Sequence, residues 1–200
     1  MSIWAEPETP RRAVIIGINK YADGEIPELA GAENDAREMY EKLRDYGGFE
    51  IAKNHFLIGP DATYKAIRKA ISDLLWETDK CYLSVLYFSG HGFQDGYENG
   101  YIAPYDMKAS EPFVCGIDME ELKQVFLKTR NKDCALLILD CCYSGIPTQG
   151  KGSAAAAEIE APFEKRFGAI REETKTGAGK IILASSGKDE RSRETKDRKH

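Results

Sequence analysis

No stretch of this 200-residue sequence approaches the run of about 18 apolar residues that a membrane-spanning helix needs. The first ten residues carry Glu6, Pro7 and Glu8 and no apolar run, which predicts neither a signal peptide nor a membrane anchor. There is no C-x-x-C pair and no Cys/His spacing of the zinc-site kind. The five cysteines (Cys81, Cys115, Cys134, Cys141, Cys142) are an odd number, which disfavours a disulfide scaffold. With no export signal, free thiols in a reducing cytoplasm are the expectation. Positive charge is short: 28 Lys and Arg against 33 Asp and Glu leave a formal charge of -5. That balance gives no bulk attraction to nucleic acid or to an anionic membrane. No internal repeat is visible.

Apolar residues make up 42% of the chain and aromatic residues 10%, enough for one ordinary core. Arg12 to Asn19 is a β-branched run that reads as a strand buried on both faces. A helix opening at Glu33 or Asn34 follows, with Ala36, Met39, Tyr40 and Leu43 at helical spacing and Gly47 as its stop. His55 to Ile58 reads as a short strand whose histidine is structural. Thr63 is placed to cap a second helix with Ile67, Ala70, Ile71, Leu74 and Leu75 on one face. Trp76 and Tyr87 are expected in the core. Tyr82 to Phe88, Ala135 to Leu139 and Lys180 to Ser185 are further strands, with a crossover helix over Asp118 to Thr129. Strands alternating with amphipathic helices predict an α/β fold, a three-layer α/β/α sandwich around a mostly parallel sheet.

The predicted boundaries follow composition: an extension over 1–11, a catalytic core over 12–145, a flexible linker over 146–179, a further core strand over 180–186 and a tail over 187–200. The last fourteen residues have no aliphatic side chain and cannot pack as a core element.

In open α/β sheets the site lies beyond the carboxyl ends of the strands. Two strands deliver reactive groups there. Ser-Gly-His-Gly puts His91 just past one, and Asp-Cys-Cys-Tyr-Ser-Gly puts Cys141 and Cys142 just past another. A thiol with an ordinary pKa near ~8.5 is mostly protonated at neutral pH, and an adjacent imidazole can take its proton. Backbone amides in the glycine-rich turns, with Gly92 and Cys142 as candidates, could hold an oxyanion. These positions alone leave two adjacent thiols open as the nucleophile.

S-G-H-G after one apolar strand and D-x-C-x-S-G after another, with Leu29 to Ala36 (LAGAENDA) before them, resemble the clan of caspases and most closely the metacaspases and their bacterial relatives. His91 precedes the cysteine pair by about 50 residues, the caspase interval. The resemblance runs from about Arg12 to Ser186. It implies a cysteine endopeptidase with Cys142, the third position of D-x-C-x-S-G, as nucleophile and His91 as base, while Cys141 packs behind it. It also implies a first specificity pocket lined by Asp35 and Ser89, to which Asp140 adds a second carboxylate. Two carboxylates favour Arg or Lys before the scissile bond and repel Asp.

The family continues beyond such a chain with a further strand, a helix and the second half of the substrate groove, so this is expected to be the large-subunit part. A polypeptide substrate, a sensor domain or a complementing C-terminal subunit are the implied partners, with no nucleic acid and no membrane. Lys151, Lys165, Arg166, Arg171 and Lys175 offer self-processing sites. No cofactor is required by this reading. Calcium activation in some metacaspases makes Asp95, Asp118 and Glu120 candidate ligands, although the paired-Asp position reads Met119-Glu120. The alternative is a catalytically incomplete caspase-like scaffold, and a small-molecule thiol amidase is a further rival.

Overall fold

The computed structural model describes residues 10–77, 81–95, 97, 99–128, 132–141 and 179–184. Four strands run parallel in the main sheet: β1 (Arg11–Gly17), β4 (Cys81–Ser89), β8 (Lys132–Asp140) and β9 (Gly179–Ala184). Outside β1 lie two short strands, β2 (Phe49–Glu50) and β3 (Phe56–Ile58), both parallel to it. The order is β2-β1-β4-β8-β9, with β3 also on β1.

Alternation along β1 explains the layering. Ala13 and Ile15 face one side with Val85 and Tyr87, where helix α1 (Ala32–Asp45) packs through Ala36, Met39, Tyr40 and Leu43. Val14 and Ile16 face the other side, where α2 (Tyr64–Ser72) and α4 (Met119–Lys128) bring Ile67, Ile71, Leu122 and Phe126. Helices on both faces make the predicted three-layer α/β/α sandwich. Gly17 permits the close approach of α1: a Cβ there would lie 2.5 Å from Ala36 Cβ and 2.7 Å from the Ala32 carbonyl oxygen.

Helix α2 starts as its sequence predicts, with Thr63 Oγ1 accepting from Ala66 N at 3.3 Å. Helix α1 does not. It begins at Ala32 rather than Glu33 or Asn34, after Gly31, which has no capping side chain. Its cap comes from the end of the β1 segment: Asn19 Oδ1 accepts from Glu33 N at 3.0 Å, while Glu33 Oε1 accepts from Asn19 N at 3.3 Å. Helix α4 begins one residue later than predicted because Asp118 is its cap, Oδ1 accepting from Glu121 N at 2.8 Å.

Several readings are corrected. His55 closes a 3-10 turn over Lys53–His55 instead of opening the strand. It is buried, with Nε2 3.8 Å from Asp73 Oδ2. Trp76 is 56% exposed, because the π-helical turn Asp73–Glu77 that follows α2 buries Leu74 and Leu75 and leaves the next residue outside. Between β4 and α4 the sequence reading has no strands, yet β5 (Gly92–Gln94), β6 (Gly100–Ile102) and β7 (Ile117–Asp118) form a separate antiparallel sheet, with the short helix α3 (Pro112–Cys115) between β6 and β7 in the chain. Strands of two or three residues show no periodicity for a sequence pattern to catch. The extension ends earlier than predicted, since Arg11 already belongs to β1, and Gly179 belongs to β9. The rest of the predicted linker, its processing sites and the charged tail lie outside the described residues.

Candidate active site

The register fixes which loops meet. Ser89 of β4 pairs with Asp140 of β8, and Gly90 N donates to the Asp140 carbonyl at 3.3 Å. Both strands end at the same level on the sheet, so His91 and the Cys141-Cys142 pair follow adjacent strand ends. Cys142, Ser144 and Gly145 lie outside the described residues. Cys141 is 5% exposed and packs in the core on the α2/α4 side.

His91 is buried and held on several sides. Its N–H donates to Tyr21 Oη at 2.8 Å, and its carbonyl accepts from Ala103 N at 3.0 Å. Ring Nε2 lies 2.8 Å from the Pro27 carbonyl oxygen. A carbonyl only accepts, so this contact assigns the proton of the neutral ring to Nε2 and leaves Nδ1 as its basic nitrogen. The Tyr21 ring tilts against the imidazole at 5.4 Å between centroids, and Phe93 meets it edge-on at 6.1 Å.

Gly92 pairs with Ile102 on β6. In the flanking pairs Ala103 N donates to the His91 carbonyl and Asp95 N to the Asn99 carbonyl, one bond of the closely spaced kind in each, so by antiparallel alternation Gly92 sits at a non-hydrogen-bonded position. Its N–H therefore points away from β6.

Asp35 lies in the first turn of α1, Ser89 at the end of β4 and Asp140 at the end of β8. Ser89 and Asp140 are paired across β4 and β8, and the charges of Asp35 and Asp140 both act on the Tyr87 hydroxyl. Burial, then the charges of Asp140, Asp35 and Glu38, push that phenol up to about 12, with a hydrogen bond to Ser89 working against them. Ser89 is itself buried.

The profile of the caspase domain family matches residues 10–199. The chain belongs to the caspase-domain family. Metacaspase-4 of Arabidopsis thaliana is 32% identical over 149 residues, covering 68% of this chain and 34% of that protein. Metacaspase-6 of the same plant is 31% identical over 150 residues, covering 68% of this chain and 38% of that one. The chain thus spans little more than a third of the length of these curated relatives. A crystal structure of a Geobacter sulfurreducens protein shares the fold, with a TM-score of 0.55 at 22% identity over 68% of this chain and 51% of that one.

The acids of this caspase domain that suggested calcium have other partners. Asp95 Oδ1 accepts from Tyr97 N and Asn99 N, and its Oδ2 accepts from Asn99 Nδ2 and Tyr101 Oη. Burial works against ionisation of Asp95, but these hydrogen bonds prevail and hold its carboxyl below the usual range. Asp118 caps α4, and Glu120 takes Gln124 Nε2 at 2.9 Å and Lys123 Nζ at 3.7 Å. Among the described residues, no group of three or more His, Cys, Asp or Glu is arranged to hold a metal ion. Among those residues, too, no helix is long and apolar enough to cross a membrane.

Three residues at this site escaped the sequence reading of the caspase domain. Pro27 acts through a carbonyl, which every residue has, so no sequence signal exists for it. Tyr87 reads as core and is core along its ring. Its position two residues before Ser89, on the same strand face, was the available signal for its polar end. Tyr21 sits in a loop where a tyrosine carries no pattern at all.

Proposed function

We propose that this caspase domain is the catalytic part of a cysteine endopeptidase that cleaves polypeptides after Arg or Lys, with Cys142 as nucleophile and His91 as base. The observation that carries the reading is the setting of His91: a buried imidazole at the end of β4, beside the end of β8, with Nε2 committed to the Pro27 carbonyl. That leaves Nδ1 to accept the proton of a thiol. Cys141 is committed to core packing, which favours its neighbour as the nucleophile.

Proton transfer from Cys142 to His91 generates the thiolate, which attacks the scissile carbonyl carbon. The oxyanion is received by the Gly92 and Cys142 amides. Collapse breaks the C–N bond as His91 protonates the departing amine, leaving a thioester on Cys142. Water, losing its proton to His91, then hydrolyses the thioester and returns the thiol. Asp35 and Asp140, with Ser89, form a pocket complementary to a guanidinium or ammonium group and repellent to an acidic residue. Activation by a sensor or by a C-terminal segment, and self-cleavage at a basic residue among 151–175, belong to the same reading.

Peptide reporters carrying Arg, Lys or Asp before the scissile bond test it, each with and without added calcium. Release after Arg or Lys that disappears in Cys142→Ala supports the peptidase. The rival reading is a non-catalytic caspase-like module. Silence with every reporter, even with a complementing C-terminal fragment, would establish that rival.

A further inference from the structure

We propose that Tyr21 is a positioning residue that sets the orientation and tautomer of His91 from the β1–α1 loop. This rests on His91 being the base of the proposed peptidase. Tyr21 Oη accepts the His91 N–H at 2.8 Å, and the same loop, six residues on, supplies the Pro27 carbonyl to Nε2. The loop therefore grips the histidine at its backbone and at the far end of its ring. Displacing one grip displaces the other.

The loop is itself fastened. Ala22 N donates to the Tyr105 carbonyl at 2.9 Å, Asp23 Oδ2 accepts from Ala109 N at 2.9 Å, and Leu29 N donates to the Asn19 carbonyl at 2.8 Å. Tyr21 is only 9% exposed. Burial pushes its hydroxyl above the ordinary tyrosine range, so it serves as a neutral hydrogen-bond partner and not as a base.

Gly90 supplies a second, independent observation. A Cβ at that position would lie 2.9 Å from Tyr21 Oη and 2.9 Å from Phe88 Cζ, both on buried side chains. The glycine before His91 thus leaves the space that the hydroxyl occupies. One further consequence concerns the amides of the turn. Tyr21 takes the His91 N–H, while the next one, on Gly92, points away from the β6 ladder.

Tyr21→Phe keeps the ring and removes the oxygen. With an Arg reporter, the expected result is a roughly ten- to hundredfold loss in kcat, the scale of a small misplacement of a catalytic group, with KM changed by less than about twofold. The deciding readout is independent of cleavage: the ring ¹⁵N signals of His91, resolved among only three histidines. The wild type should show the Nε2–H tautomer, and the variant a shifted tautomer mixture. Gly90→Ala, which crowds the hydroxyl from the other side, should move the same signals. Added to Tyr21→Phe, it should move them less than it does alone. His91 ring signals that coincide in wild type and in either folded variant would overturn the proposal, whatever happens to kcat. A wild type with no cleavage but shifted ring signals in the variants would instead refute the peptidase reading and leave the positioning role standing.

Discussion

Asn19→Ala tests how α1, which carries Asp35, is anchored to the sheet. The substitution removes the Oδ1 acceptor of the Glu33 N–H and leaves one first-turn amide of the helix without that partner. The return bond, from Asn19 N to Glu33 Oε1, involves the backbone of residue 19 and survives. The loss is therefore one capping bond in a half-buried setting, about 1 kcal/mol by the range measured for N-caps. For a domain of this size that corresponds to a fall of about 3 °C in Tm. The comparison variant is Asn34→Ala, the residue at which local sequence rules would open the helix. Asn34 makes only an exposed contact to Glu38 Oε1 four residues on, worth about 0.3 kcal/mol. Urea unfolding of both variants measures the difference, read as a shift in midpoint at constant slope. Asn19→Ala should cost about three times as much as Asn34→Ala. Equal costs, or a larger cost at Asn34, would refute the non-local cap.

Leu74 is fully buried in the π-helical turn Asp73–Glu77 that follows α2, so Leu74→Ala should lower stability by about 2–5 kcal/mol, measurable by the same unfolding experiment. For His55, burial lowers the pKa and outweighs the attraction of Asp73, so the unfolded chain binds the proton more readily than the folded one. Stability from this group is intact above the unfolded pKa near ~6.5 and declines as pH falls below it. Midpoints measured from pH 7.5 downward should show that slope, and His55→Gln should remove its contribution.

The central strands were legible because continuous β-branched and leucine-rich runs ending in Gly or Asp leave few other readings. Ala13 to Ile16 and Leu137 to Leu139 behave as such runs should. The face of α2 was legible from its 3.6 period, and its start from Thr63. What was hidden depended on partners distant in sequence: the cap of α1 on Asn19, and the anchoring of Asp95 within a hairpin of three-residue strands. The site divides in the same way. His91 is visible because its glycine-flanked position ends an apolar strand, whereas Asp35 and Ser89 were singled out by resemblance and Asp140 by its place before the cysteine pair. The two groups that hold His91, the Pro27 carbonyl at its ring and the Tyr21 hydroxyl at its backbone N–H, come from a loop whose path no local pattern encodes.

The most direct measurement of the central claim is the intact mass of the protein after exposure to a thiol-alkylating peptide that presents Arg at the position before the reactive carbon, followed by location of the adduct. A single adduct on Cys142 is predicted. It should be absent in Cys142→Ala, strongly slowed in His91→Ala, and much slower to form when Asp replaces Arg in the probe. Alkylation of Cys141 instead, or equal labelling by the Arg and Asp probes, would contradict the account.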